Sequence, residues 1–173
     1  MKSAVLIFTM VSALCFGQQT SGTQPLPVDQ YVKSVNNLTL KAAMELTNRV
    51  GAKAASMDKK ISIAVLDASG SVIVLTRGDG VGPHNTEAAS RKAFTALSTR
   101  TSTLVLLRNA AQNPDTANLN TLPELLLLSG GTPIFFKGEI IGSVGVAGGG
   151  SPENDDLLAR VAALPELGIS TTK

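Results

Sequence analysis

Two β-branched apolar runs sit close together near the middle of the chain. Ile61-Ser62-Ile63-Ala64-Val65-Leu66-Asp67 and Ser71-Val72-Ile73-Val74-Leu75-Thr76-Arg77 flank Ala68-Ser69-Gly70, which predicts a hairpin. A second hairpin is predicted from Ile134 to Phe136 and from Glu139 to Val146, turning at Lys137-Gly138. Around these runs the apolar period lengthens. Leu40, Ala43, Met44, Thr47, Val50 and Ala54 recur at helical spacing, so a helix is expected over 40–56 with Thr39 as its cap. Ala89, Ala93, Phe94 and Leu97 predict a second helix over 86–99, capped by Asn85 or Thr86, with Arg91 and Lys92 off its apolar side. A short helix within 101–111 is expected behind Ser102, then a polar connection over 112–121. A last helix is expected over 152–164. Ser151 would be its N-cap, with Pro152 at the first helical position and Glu153, Asp155 and Asp156 in the first turn. Its buried stripe is read as Leu157, Leu158, Val161 and Leu164. Strands that arrive as hairpins predict a mainly antiparallel sheet with helices packed on it, an α+β arrangement.

The N-terminus breaks this pattern. Lys2, an apolar run from Ala4 to Phe16 and a polar exit from Gly17 have the form of a secretory signal peptide. The run is shorter than the roughly 20 apolar residues a membrane span needs. The expected organisation is therefore a leader over 1–17, a flexible lead-in over 18–37 carrying Pro25 and Pro27, and one domain over 38–168. The single cysteine, Cys15, falls inside the leader, so a chain cut after Gly17 has no thiol for a disulfide, a thiolate metal site or a nucleophile. An exported chain without disulfides suits a bacterial periplasm or exterior.

Composition narrows the chemistry. Hydrophobic residues make up 43% of the chain, enough for a core, while aromatics make up 3%, so that core is aliphatic. The formal charge of +2, with no dense Lys/Arg run and no aromatic stacking platform, argues against nucleic acid as a partner. His84, the sole histidine, follows the loop Gly78-Asp79-Gly80-Val81-Gly82-Pro83. On its residues alone it reads as a haem-iron ligand, a general base, a pH-sensing group or a surface histidine in a turn. Arg77, Arg91 and Lys92 lie near it in sequence and could hold a carboxylate such as a haem propionate. The loop Gly148 to Ser151 joins a strand to a helix start and is a weaker anion-site candidate. Its spacing is not that of a dinucleotide-binding fingerprint. No serine stands in a Gly-x-Ser-x-Gly elbow, which removes the usual triad signature.

Three blocks resemble the GlcG/HbpS-like family of small haem-binding proteins, which is related to the C-terminal domain of some corrinoid adenosyltransferases. They are Ser62 to Gly70 running on to Arg77-Gly78-Asp79-Gly80, then Ala88 to Ala96, and then Leu122-Pro123-Glu124 through Gly130-Gly131-Thr132-Pro133-Ile134 to Gly138 to Gly148. The resemblance covers about residues 38–164. It implies a profilin-like fold with an antiparallel sheet of about five strands flanked by helices, and homo-oligomer formation. It also implies haem or another tetrapyrrole as ligand, with His84 at the iron and Arg77, Arg91 and Lys92 as propionate partners. The last helix lacks the cysteine that many relatives carry there, which argues against thiol redox chemistry. The function expected is an exported, non-enzymatic haem-binding protein for sequestration or sensing. The alternatives are a small-molecule binding or assembly module without haem, and a weak haem-modifying enzyme.

Overall fold

A computed structural model describes residues 28–173; the expected leader and the first part of the lead-in lie outside the described residues. The chain divides into two units, Met1–Lys33 and Ser34–Lys173. The described part of the first is a solvent-exposed 3-10 turn, Val28–Gln30. The second holds the domain. Among the described residues, no helix is long and apolar enough to cross a membrane.

Five strands form one antiparallel sheet: β1 (Ser62–Asp67), β2 (Val72–Arg77), β3 (Gly131–Phe136), β4 (Glu139–Ala147) and β5 (Ile169–Ser170), in the order β2-β1-β4-β3-β5. Both predicted hairpins are present, and β1 pairs with β4 to join them at the centre of the sheet. β5 is a two-residue edge strand that pairs with Phe135 and Phe136, so the sheet draws in chain beyond the expected boundary at 168. It follows a reversal at Gly168, and the residues alone show no run long enough to read as a strand.

Helix α1 (Leu40–Ser56) is capped by the Thr39 side chain, which accepts from the Ala42 N–H at 3.2 Å. Its Ala43, Leu46, Val50 and Ala54 bury one stripe against Ile63, Val65, Val74, Ile134, Val144 and Val146 of the sheet. Leu158, Ala159, Ala162 and Leu164 complete this layer, with Leu158 and Ala159 supplied by helix α5 (Pro152–Arg160). Burial of each large member, such as Leu46, Ile134 or Leu158, contributes about 1.5–3 kcal/mol.

The opposite face of the sheet carries helix α2 (Pro83–Thr99), followed by α3 (Thr103–Ala110) and the short α4 (Pro114–Ala117). Ala64, Leu66 and Ala147 pack there against Ala89 and Ala93. The approach is close because β3 and β4 place glycines beneath the helix backbone. A Cβ at Gly145 would lie 2.0 Å from the Ala89 carbonyl oxygen, and one at Gly131 would lie 2.1 Å from that of Lys92. The glycines of the second hairpin are thus a seat for α2.

Two predicted details are corrected. α5 stops at Arg160, short of 164, and its buried stripe is Asp155, Asp156, Leu158 and Ala159 while Leu157 stays exposed. The polar connection over 112–121 contains α4 and a 3-10 turn, Asn118–Thr121. The leucine-rich chain over 122–128 is irregular: Leu125 and Leu127 are buried beside Leu106, whereas Leu122 and Leu128 are about half exposed, at 49% and 51%.

Residues 36–38 are tied to the domain. The Asn36 amide donates to Glu139, the Asn37 side chain accepts from the Ala68 N–H at 2.8 Å, and Leu38 is buried. The Leu38 N–H also donates to the carbonyl of Ile141, a residue with no opposite number on β3 because the register skips there. That bulge turns Ile141 to the α1 face, alongside Val144 and Val146.

Candidate functional site: the outer face and start of helix α2

The helix that carries three of the four predicted site residues begins earlier than its spacing suggests. Gly82 is the N-cap and Pro83 the first helical residue, so His84 stands in the first turn of α2 and not in the preceding loop. Pro83 causes this: its fixed φ suits the first turn, and its missing N–H has no helical partner to lose. His84 is exposed, and among the described residues it has no hydrogen bond or ion pair. Its ring folds back toward the cap, such that a Cβ on Gly82 would fall 2.7 Å from Cε1.

Arg91 lies two helical turns further along on the same stripe, with Glu87 between them. Its Nη2 donates to the carbonyls of Pro123 and Leu125 at 2.8 and 2.9 Å, and its Nη1 is 3.7 Å from Glu87. The Nε is buried without a partner. Arg91 therefore holds the irregular leucine segment against α2 and keeps one donor unused. Beside it is an open cavity of about 360 Å³, whose walls include Leu66, Gly70 and Val72 of the first hairpin, Phe94 of α2, and Pro123. The walls are mostly apolar, with Arg91, Ser90, Glu87 and Glu124 as their polar members.

Lys92 stands elsewhere. It is 4% exposed, and its Nζ donates to Asp155 Oδ2 at 2.7 Å and to the Val146 carbonyl at 3.0 Å. Asp155 in turn accepts from the Gly149 N–H at 2.7 Å. One buried ion pair thus joins α2, the end of β4 and the start of α5 across the end of the sheet. The expectation that Lys92 partners a haem propionate is corrected accordingly: its charge is already matched inside the protein. A signal for this was present, because Lys92 lies three residues after Ala89 and four before Ala96, on the buried stripe itself. The same pair occupies the glycine loop. Gly149 donates its N–H to Asp155 and accepts from Asn154 at 2.9 Å, so Gly148 to Ser151 is a closed turn with its central amide already bonded.

Arg77 ends β2 and is exposed, without a hydrogen bond or ion pair among the described residues. It lines a different cavity, between α1 and the outer strands, together with Lys59 and Lys60. The structure therefore brings His84 and Arg91 onto one helix face, places Arg77 at a separate opening and buries Lys92. Phe94 and Val72 are cavity residues that the sequence pattern did not mark for a ligand, since each looks like an ordinary helix or strand position. Among the described residues no cluster of three or more His, Cys, Asp or Glu is placed to hold a bare metal ion.

Comparison with known proteins agrees with this architecture. A crystal structure of a double mutant of Streptomyces reticuli HbpS superposes with a TM-score of 0.71 at 37% identity, covering 76% of this chain and 88% of that one. An uncharacterised 15.0 kDa protein from the dhaT–dhaS intergenic region of Citrobacter freundii is 29% identical over 134 residues, which is 75% of this chain and 92% of that protein. Protein GlcG of Escherichia coli K12 is 38% identical over 87 residues, half of this chain and 63% of GlcG. A family model described as haem degrading protein HbpS-like matches residues 38–164, the whole of the sheet's first four strands with their helices. The chain belongs to this HbpS-like family.

Proposed function

We propose that this protein binds haem at the outer face of α2, with His84 as the ligand to the iron and Arg91 as the cation for a propionate. The observation that carries the reading is the placement of the sole histidine. It is exposed, unbonded among the described residues, and on one stripe with a half-buried arginine beside an apolar cavity. Membership of a family described by haem chemistry supports the ligand class. The donor set fits: a neutral imidazole binds haem iron, a guanidinium matches a carboxylate, and Leu66, Val72 and Phe94 offer apolar surface to a macrocycle. Arg77 and Lys92 drop out of the set, the first by position and the second by burial.

Holding haem is favoured over transforming it. Catalysis by His84 as a base calls for a neighbour that orients its ring, and among the described residues it has none. The role that follows is sequestration or sensing outside the cytoplasm, with residues 1–17 as the leader and self-association between copies. Val72 and Leu75 on edge strand β2 support the last point, being exposed at 51% and 46%.

The test is a haem titration of the mature chain followed at the Soret band. A saturable shift at one haem per chain is expected. No shift overturns the proposal, and loss of the bound spectrum on adding a reductant assigns the protein to degradation instead.

A further inference from the structure

We propose that the cavity between α1 and the outer strands is a second binding site, for an organic anion that joins an apolar body to an acidic head. The cavity is about 480 Å³ and is distinct from the α2 face. Lys59, Lys60 and Arg77 line it, and no carboxylate does. Among the described residues none of the three makes an ion pair. They come from separate parts of the chain: the two lysines follow α1, and Arg77 ends β2. The fold thus collects three unneutralised positive charges at one opening, where they reinforce one another's attraction for an anion. The remaining lining includes Ile61, Ile63 of β1 and, from α1, Thr47, Asn48 and small residues, so the charged rim adjoins a partly apolar floor.

Gly51 is the second observation. It lies in the interior of α1, on the cavity wall, where glycine is a poor helix former. Packing does not require it: a Cβ there would have no atom within 4 Å, and the backbone is ordinary helix. The missing side chain leaves open space in the cavity. A ligand body resting against α1 would use that space.

The probe is 8-anilinonaphthalene-1-sulfonate, an anion with an apolar body, titrated by fluorescence. Saturable binding at one site per chain is expected, with inorganic phosphate competing. Lys59→Gln with Lys60→Gln should weaken it at least ten-fold. Gly51→Met, which puts a bulky side chain against the α1 wall of the cavity, should abolish it. Gly51→Ala should raise the thermal midpoint while lowering affinity, which separates occupation of the cavity from damage to the fold. His84→Ala should leave the titration unchanged, so this site stands or falls apart from the haem proposal. Non-saturable fluorescence, equal binding in the Gly51→Met and lysine variants, or loss on His84→Ala would each overturn the proposal.

Discussion

At the scale of single residues, the buried pair Lys92–Asp155 is the most consequential feature. Two charges withdrawn from water are tolerable because each meets the other and a backbone group as well. Lys92→Ala strands the carboxylate of Asp155, and a loss of about 3–5 kcal/mol in urea unfolding is expected. Replacing both with apolar residues, Lys92→Met with Asp155→Leu, should recover most of that loss, since no charge is then left unpaired. Gly130 belongs to the same arrangement: with φ at +111°, it also leaves room for Asp155 and Lys92, whose atoms lie 2.8 and 3.3 Å from where a Cβ would stand. Asp67 is a milder case. It accepts hydrogen bonds from the Ser69 hydroxyl at 2.6 Å and from the N–H groups of Ser69 and Ser71, closing the first hairpin. These bonds, the Ser69 hydroxyl foremost, hold its carboxyl below the ordinary value of 3.8. The folded state then binds the Asp67 proton less readily than the unfolded chain does. The stabilisation is complete above the unfolded value and declines as pH falls through the folded one. Urea midpoints measured between about pH 3 and 6 should therefore fall at the acid end, and less steeply in Asp67→Asn.

At the scale of elements, α2 is the piece on which fold and site both depend. It lies on glycines, and Gly145→Ala is expected to cost at least about 3 kcal/mol in chemical denaturation because the new methyl meets helix backbone, which cannot rotate away. The elements themselves were largely legible in the chain. α1 occupies the predicted residues 40–56, and both hairpins lie within a few residues of their expected positions, because apolar period and turn residues agree there. The misreadings have local causes. The start of α2 lies earlier than the pattern predicts because Pro83 doubles as loop punctuation and first helical residue, the role Pro152 also has in α5. The apolar spacing in α5 predicts a stripe of Leu157, Leu158, Val161 and Leu164, whereas Asp155 takes a buried position through its tertiary partner Lys92, a contact that local spacing does not encode. β5 depends on pairing with β3 and has too few residues to carry a pattern of its own.

At the scale of the whole molecule, two helical layers enclose one sheet, and each proposed site opens on a different side of it. The α2 face carries His84, Arg91 and an apolar cavity; the α1 face carries Lys59, Lys60 and Arg77. The candidate site was less legible than the fold. Nearness in sequence grouped Arg77, His84, Arg91 and Lys92, but a strand end, a helix start and a buried helix stripe send them to three environments. Conversely, Lys59 and Arg77 belong to different elements of the fold and share one opening. The central claim is that His84 ligates haem iron, and its most direct measurement is the Soret spectrum of His84→Ala loaded with haem, before and after adding free imidazole. The exposed position of His84 means the substitution should leave the fold intact. The account predicts an altered spectrum in the variant that returns to the wild-type form when imidazole takes the vacant coordination position. A variant spectrum identical to wild type without imidazole would contradict it.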